Sequence, residues 1–181
     1  MVRHLILAVL AALFLGAGNV DAAEPENTLY LELEYGRVVI EMRPDLAPGH
    51  VARIKELVRQ GFYDGVVFHR VIEGFMAQTG DPTGTGTGGS GQRLKAEFNS
   101  EPHVRGTLSM ARARNPDSAD SQFFIVFEEA PFLDRQYTVW GQVTEGMEFV
   151  DKIKKGAKDD NGSVEDPDHI VRMQVAADVK E

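Results

Sequence analysis

The chain contains no cysteine among its 181 residues. A disulfide, a thiolate nucleophile and a cysteine-based metal site are therefore all excluded. Runs of basic residues are also missing, and the formal net charge is -9. Nucleic-acid binding depends on a concentrated positive surface, so we expect no nucleic-acid partner.

Hydrolytic chemistry has little support in the sequence. Ser109 and Ser121 lack the G-x-S-x-G pattern around a nucleophilic serine. The histidines are scattered without the spacing of metal ligands, and we interpret each as structural or solvated: His50, His69, His103 and His169. We therefore expect no metal and no cofactor.

Long apolar runs are missing except near the amino terminus, where MVRH precedes LILAVLAALFLGAG. This pattern is typical of a cleavable signal peptide, with cleavage after Ala22. A membrane anchor is the alternative, but the run is short for a span of about 20 residues. We expect a signal peptide at 1–22, a single domain at 23–181, and a mature chain outside the membrane. Export without disulfides suits a bacterial periplasm.

Alternation of apolar and polar residues predicts a hairpin at the start of the mature chain. Leu29, Leu31 and Leu33 share one face of the first predicted strand. Tyr35-Gly36 interrupts the pattern, and a second alternation begins at Val38. Five later apolar runs predict further strands, at 66–72, 106–113, 121–127, 137–143 and 169–179.

Helical spacing occurs in two segments. The segment 47–61 places Val51, Ile54, Leu57 and Val58 on one face and ends at a glycine. The segment 145–156, EGMEFVDKIKKG, carries three lysines near its carboxyl end, where the helix dipole favours cations. Many strands with only two helices predict a mainly β fold, a closed β-barrel with helical caps.

Glycine is concentrated in the stretch GTGTGG, Gly84 to Gly89, which satisfies the dinucleotide pattern G-x-G-x-x-G. That pattern binds a pyrophosphate where the glycines join a strand to a helix. The following residues, SGQRLKAEFNSEP, have no extended amphipathic pattern, and no G-K-[ST] ending is present. We therefore interpret the stretch as a surface loop that can border a site, and not as a nucleotide site.

Four segments and the GTGG at 86–89 carry a resemblance to a known family. They are FHRVIEGFMAQTGD at 68–81, LSMARA at 108–113, SQFFIVF at 121–127 and PFLDRQYTVWG at 131–141. In this order and spacing they resemble the cyclophilin family of peptidyl-prolyl cis-trans isomerases, over about 28–179. The resemblance implies a closed eight-stranded antiparallel barrel with two capping helices, and an active groove on its outer surface.

The implied reaction is rotation about Xaa-Pro peptide bonds. No bond is broken, so the reaction needs no nucleophile, metal or proton shuttle. By family position, Arg70 donates a hydrogen bond to the prolyl nitrogen. The resemblance assigns catalysis to Arg70, Phe75, Gln78, Phe124, Leu133 and Tyr137. It assigns substrate binding to Met76, Gly86, Thr87, Ala111, Arg112, Gln122 and Phe132.

Spacing alone leaves alternatives for these residues: the aromatics also fit an ordinary core, and Arg70 also fits a solvated strand position. Only the joint motif favours function. Phe123, next to Phe124, is expected to point into the core because strand neighbours alternate. Trp140, the only tryptophan, is expected in the core too.

Some residues resemble the exported bacterial branch of the family, such as the stretch MARARNPDSADSQFF at 110–124. Phe132 stands where animal members usually have tryptophan, and Tyr137 where they usually have histidine. Phe132 lacks the indole N–H, so we expect weak cyclosporin binding. The expected partners are proline-containing polypeptides, and we expect a monomer that assists the folding of exported proteins. A proline-peptide binding module or holdase using the same groove is the alternative.

Overall fold

The predicted amino-terminal hairpin is present in the computed structural model, which describes residues 24–180. Strand β1, Thr28–Leu33, pairs antiparallel with β2, Gly36–Met42. Leu29 and Leu31 are fully buried, as their alternation predicted. The predicted signal peptide at 1–22 lies outside the described residues.

The described residues contain two α-helices and six more strands. They are α1 Pro48–Arg59, β3 Arg70–Ile72, β4 Met76–Thr79, β5 Thr107–Met110, β6 Phe123–Val126, β7 Val139–Glu145, α2 Met147–Val150 and β8 Arg172–Val175. All strand pairs are antiparallel, and the order across the sheet is β3-β4-β6-β5-β7-β2-β1-β8. The prediction of a mainly β, eight-stranded fold with two helices is therefore confirmed.

The prediction of a closed barrel is wrong, because the curled sheet stays open between β3 and β8. Across this opening the described segments make short bridges, such as Val67 to His169 and Arg70 to Ser163, and individual backbone hydrogen bonds beside them. The segment that precedes β8 contains Asn161 and Asp166 with positive φ angles. Residues with positive φ interrupt the extended conformation that continuous strand pairing needs. The segment before β8 is therefore joined to the chain around β3 by individual hydrogen bonds and not by a continuous ladder.

Helix α1 agrees with its prediction, whereas the second predicted helix is much shorter than 145–156. Helix α2 has only four residues. After it the chain turns so that Ile153 is fully buried and the Gly156 N–H donates to the Val71 carbonyl oxygen at 2.9 Å. The chain after α2 leaves the helical conformation and packs against Val71, the residue next to Arg70.

The strand prediction for 66–72 is also too long, since β3 begins at Arg70. The last strand covers only part of 169–179, and a short 3₁₀ helix, Ala176–Asp178, follows it. Strand β4 was not predicted as a strand. No helix in the described part of the chain is long and apolar enough to cross a membrane.

Strand β6 separates two apolar clusters. Phe123 and Ile125 belong to the main core, which also contains the buried face of α1 and the fully buried Trp140. Phe124 and Val126 belong to a second cluster on the opposite face of the sheet. The predicted alternation of Phe123 and Phe124 and the predicted burial of Trp140 are both confirmed.

Candidate active site

The second apolar cluster forms the floor of an open groove of about 700 Å³. Met76, Phe124 and Leu133 are buried at its base. Eleven of the predicted site residues line it, namely Arg70, Phe75, Met76, Gln78, Gly86, Ala111, Arg112, Phe124, Phe132, Leu133 and Tyr137. The structure thus brings together residues that are spread over about 67 positions of the sequence.

A neighbouring depression of about 430 Å³ continues the groove past Ala111 and Arg112. The two remaining predicted residues, Thr87 and Gln122, line this second part. Arg93 also lies there. All thirteen predicted residues therefore border one continuous surface, and their individual roles remain predictions.

Strand register explains why the central residues meet. Arg70 on β3 lies opposite Gln78 on β4, and Gln78 lies opposite Phe124 on β6. Phe124 in turn lies opposite Ser109 on β5. Antiparallel partners present their side chains on the same face, so one row across four strands places a cation beside an amide and an aromatic ring.

The Arg70 guanidinium is held by two residues. Its Nε donates to the Asn161 backbone oxygen at 3.0 Å, its Nη2 to Asn161 Oδ1 at 3.0 Å, and its Nη1 to Gln78 Oε1 at 3.1 Å. Each terminal nitrogen carries two hydrogens, so these contacts leave one hydrogen on each for a bound group. Burial lowers the pKa of Arg70 from its ordinary value, and Tyr137 acts in the opposite direction. The charge is therefore partly removed from water, which strengthens its interaction with an acceptor.

A hydrogen-bonded chain of amides links this arginine to the glycine loop. Gln78 Nε2 donates to Gln122 Oε1 at 2.9 Å. Gln122 Nε2 donates to the carbonyl oxygens of Gly86 at 3.0 Å and Gly88 at 2.8 Å. The chain fixes the orientation of both glutamine side chains along the groove.

Aromatic contacts form the walls around the apolar floor. The Phe75 and Phe132 rings lie 5.4 Å apart, and Phe124 meets Tyr137 edge to face at 5.9 Å. Arg112 stacks over Tyr137 at 4.5 Å. Phe132 is 63% exposed, so its apolar face is available to a ligand.

The glycine loop encloses a carboxylate of its own chain. Asp81 is fully buried and accepts hydrogen bonds from the backbone N–H groups of Thr83, Thr85, Gly86 and Gly88. Burial alone would raise the pKa of Asp81, but these bonds outweigh it and lower the pKa to about 2. Successive backbone N–H groups can form an anion-binding concavity, and here the anion is the chain's own aspartate.

Six residues that line the first part of the groove were not predicted as site residues: His69, Thr85, Gln136, Asp160, Asn161 and Ser163. Asn161 is the most informative of them, because it holds Arg70 from 91 positions away. In the sequence Asn161 begins the stretch NGS at 161–163, whose residue types are typical of a turn. His69 is buried, and neither ring nitrogen has a hydrogen-bond partner among the described residues. Its position directly before Arg70 was the available signal.

The fold and groove define a class of protein. It is a β-sheet protein in which a positively charged hydrogen-bond donor, Arg70, is held beside the apolar floor of an open groove. A model of the family described as cyclophilin type peptidyl-prolyl cis-trans isomerase/CLD matches residues 28–175. A probable peptidyl-prolyl cis-trans isomerase of Brucella suis is 54% identical over 189 residues, covering 97% of this chain and 96% of that relative. The chain therefore belongs to the cyclophilin family and is a peptidyl-prolyl cis-trans isomerase.

Solved structures agree with this assignment. A cyclophilin from Hirschia baltica matches with a TM-score of 0.78 and 31% identity, covering 87% of this chain and 77% of that one. A cyclophilin-type isomerase from Cryptosporidium parvum, solved in the presence of the dipeptide Ala-Pro, matches with a TM-score of 0.75 and 29% identity. It covers 82% of this chain and 98% of that one.

Proposed function

We propose that the isomerase acts on Xaa-Pro bonds of exported polypeptides and uses Arg70 as its catalytic donor. The observation that carries the assignment is the position of the Arg70 guanidinium, held by Asn161 and Gln78 at the edge of the apolar groove. The Cryptosporidium parvum relative, solved in the presence of Ala-Pro, supports a prolyl ligand.

Arg70 would act on the twisted amide. Amide resonance gives the Xaa-Pro bond a barrier of roughly 18–20 kcal/mol, and the uncatalysed rotation takes tens of seconds or longer. As the bond twists, resonance is lost and the prolyl nitrogen becomes a better hydrogen-bond acceptor. A donor that meets this nitrogen only in the twisted state stabilises the transition state more than either planar isomer.

The apolar floor would hold the proline ring during this rotation. Met76, Phe124 and Leu133 form its base, and Phe75 and Tyr137 pack beside them. Gln78 lies between the floor and Arg70 and would bind a substrate carbonyl through its amide. The second part of the groove, with Ala111 and Gln122, would receive the residues that precede proline.

The role of Arg70 is tested by measuring isomerisation of an Xaa-Pro peptide by the wild type and by Arg70→Ala. We expect kcat/KM to fall by about 100-fold or more, which corresponds to about 2.7 kcal/mol of transition-state stabilisation. Arg172→Ala, which removes an exposed arginine on β8, is the matched control and should keep wild-type activity. Equal rates for wild type and Arg70→Ala would show the assigned mechanism to be wrong.

Export is the second part of the proposal. The apolar run at 5–18 after Arg3 and His4, and the absence of cysteine, support a cleaved signal peptide and a periplasmic location. Expression of the full chain in a Gram-negative host, followed by cell fractionation and amino-terminal sequencing, tests it. We expect a periplasmic protein that begins at Ala23, and a cytoplasmic protein with an intact amino terminus would contradict the proposal.

A holdase is the rival candidate for the physiological role, because an apolar groove can bind a proline segment without turnover. A deletion strain complemented with Arg70→Ala separates the two. We expect the variant not to restore the folding of exported proteins. Complete restoration would favour the holdase and leave the isomerase activity without a physiological role.

A further inference from the structure

A buried histidine lies directly behind the groove. His103 is 1% exposed, and its Nδ1 lies 2.9 Å from Asp134 Oδ1. The His103 backbone N–H donates to the same oxygen at 2.8 Å. Asp134 follows Leu133 at the end of the 3₁₀ helix Pro131–Leu133. This contact therefore anchors the turn that carries one wall of the groove.

The other side of the same ring contacts the groove floor. His103 Nε2 lies 3.0 Å from Ser109 Oγ, and Ser109 is the strand partner of Phe124. The imidazole also stacks on the Phe124 ring, with centroids 6.2 Å apart and planes at 18°. One imidazole thus connects Leu133, through Asp134, with Phe124.

The hydrogens of this cluster can be assigned from the donor inventory. Ser109 Oγ lies 3.0 Å from both His103 Nε2 and the Thr138 carbonyl oxygen, and its single hydrogen can serve only one of them. The Thr138 oxygen already accepts from the Met110 N–H at 3.0 Å. A neutral ring that donates from Nδ1 to Asp134 accepts from Ser109 at Nε2, and the contact from Ser109 Oγ to the Thr138 oxygen then carries no hydrogen. A doubly protonated ring would turn the Ser109 hydroxyl toward Thr138.

We propose that His103 is a positioning residue for the reaction, which holds Phe124 and Leu133 at the separation that a proline ring requires. The inference rests on the proposed proline seat but not on the role of Arg70. Failure of the Arg70→Ala test would therefore leave it standing, and its own failure would leave the Arg70 assignment intact.

The chain offers a matched control away from the groove. His50 on α1 is also 1% exposed. Its Nδ1 lies 2.6 Å from Glu97 Oε2, and its backbone N–H donates to the same oxygen at 2.9 Å. The two histidine–carboxylate pairs have the same construction, but of the two imidazoles it is His103 that stacks on a residue of the groove floor, Phe124. A purely structural role for such a pair would therefore appear equally in both.

The experiment compares His103→Phe with His50→Phe in a peptide isomerisation assay, at a temperature where thermal unfolding shows both to be folded. We expect kcat/KM to fall about tenfold in His103→Phe, because small misplacement of a substrate site is costly, and to stay near the wild-type value in His50→Phe. Equal losses in the two variants, or retained activity in His103→Phe, would overturn the proposal. If His103→Phe does not fold, Asp134→Asn replaces it and Glu97→Gln replaces the control His50→Phe. We then expect kcat/KM to fall in Asp134→Asn and to stay near the wild-type value in Glu97→Gln. Equal losses, or retained activity in Asp134→Asn, would overturn the proposal.

Nuclear magnetic resonance can test whether ionisation of His103 changes the surroundings of Leu133. A histidine with a merely structural role would leave the Leu133 resonances unchanged as its ring titrates. Burial lowers the pKa of His103 from its ordinary value of 6.5, and Asp134 opposes this. Asp134 faces the ring from the 3₁₀ turn, with Arg135 as its neighbour, while the contacts from β5 and β6 are the uncharged Ser109 and Phe124. We expect the Leu133 methyl resonances to titrate with the His103 ring, and Asp134→Asn to move both midpoints to lower pH. A titrating ring with unchanged Leu133 resonances would refute the coupling.

Discussion

Asp81 supports the glycine loop, and its replacement by asparagine gives a quantitative test of that role. The variant keeps the shape of the side chain but removes the negative charge. It also points an NH₂ group at backbone N–H donors, because an asparagine amide offers only one acceptor oxygen. Depending on the orientation of the amide, either the Thr83 N–H at Oδ1 or the N–H groups of Gly86 and Gly88 at Oδ2 would lose their acceptor.

The expected magnitude follows from the pKa of Asp81. Each pKa unit corresponds to about 1.36 kcal/mol, so lowering the pKa from 3.8 to about 2 stabilises the folded state by about 2 kcal/mol. Because the folded-state pKa is the lower one, this contribution is fully present above pH 3.8 and is lost as the pH falls through about 2. By linkage, about 1 kcal/mol of it has gone at about pH 3.

Urea unfolding of the wild type and of Asp81→Asn, at about pH 6 and pH 3, measures both quantities. We expect Asp81→Asn to be less stable by about 2 kcal/mol or more at the higher pH, and the difference to shrink by about 1 kcal/mol at the lower one. Groups that titrate equally in both proteins cancel in this difference. Asp159→Asn, at an exposed aspartate, is the control and should show neither effect. A difference that does not change with pH would refute the reasoning.

Three further predictions concern single residues. Asn161→Gly removes the side-chain acceptor for Arg70, and glycine tolerates the φ of 51° at this position. We therefore expect kcat/KM for a prolyl peptide to fall about tenfold while the melting temperature changes little. Full activity of the variant would contradict the role of Asn161 in holding Arg70. The wild type should be weakly inhibited by cyclosporin, and Phe132→Trp should strengthen inhibition by about fivefold through one new hydrogen bond; nanomolar inhibition of the wild type would show this to be wrong. Gly80→Ala should cost more than about 2 kcal/mol in urea unfolding, because its φ is +89° and the new Cβ would meet the Ser121 carbonyl oxygen. Gly91→Ala, with φ +83° and open space around it, should cost only about 1 kcal/mol, and equal losses would contradict the steric argument.

Patterns between near neighbours predicted the fold well. The alternation of Leu29, Leu31 and Leu33 identified β1, and helical spacing from Val51 to Val58 identified α1. The prediction failed at 145–156, where helical spacing continues but the chain turns to dock against Val71. Local periodicity does not record a contact with a distant strand, so this segment was assigned a longer helix than it forms.

The candidate site was predicted through a family motif and not through spacing. Phe124 and Phe123 are equally apolar, and only the motif distinguished the groove residue from the core residue. Asn161 was missed because a turn-like NGS stretch gives no sign that it will meet Arg70. The interpretation of His103 as structural or solvated agrees with its burial, but its partners Asp134 and Ser109 follow no recognisable spacing and could not be predicted.

The sequence by itself determined the family, the strand-rich architecture and thirteen of the residues that border the groove. The architecture follows from short-range periodicity, whereas the family and the groove residues follow from the motif that the sequence carries between 68 and 141. Only the tertiary structure decided that the sheet stays open between β3 and β8, that Asn161 holds Arg70, and that the glycine loop encloses Asp81. The first two depend on contacts between distant segments that form when the sheet curls, and the third depends on the conformation of a single loop; none of them leaves a periodic trace in the order of residues.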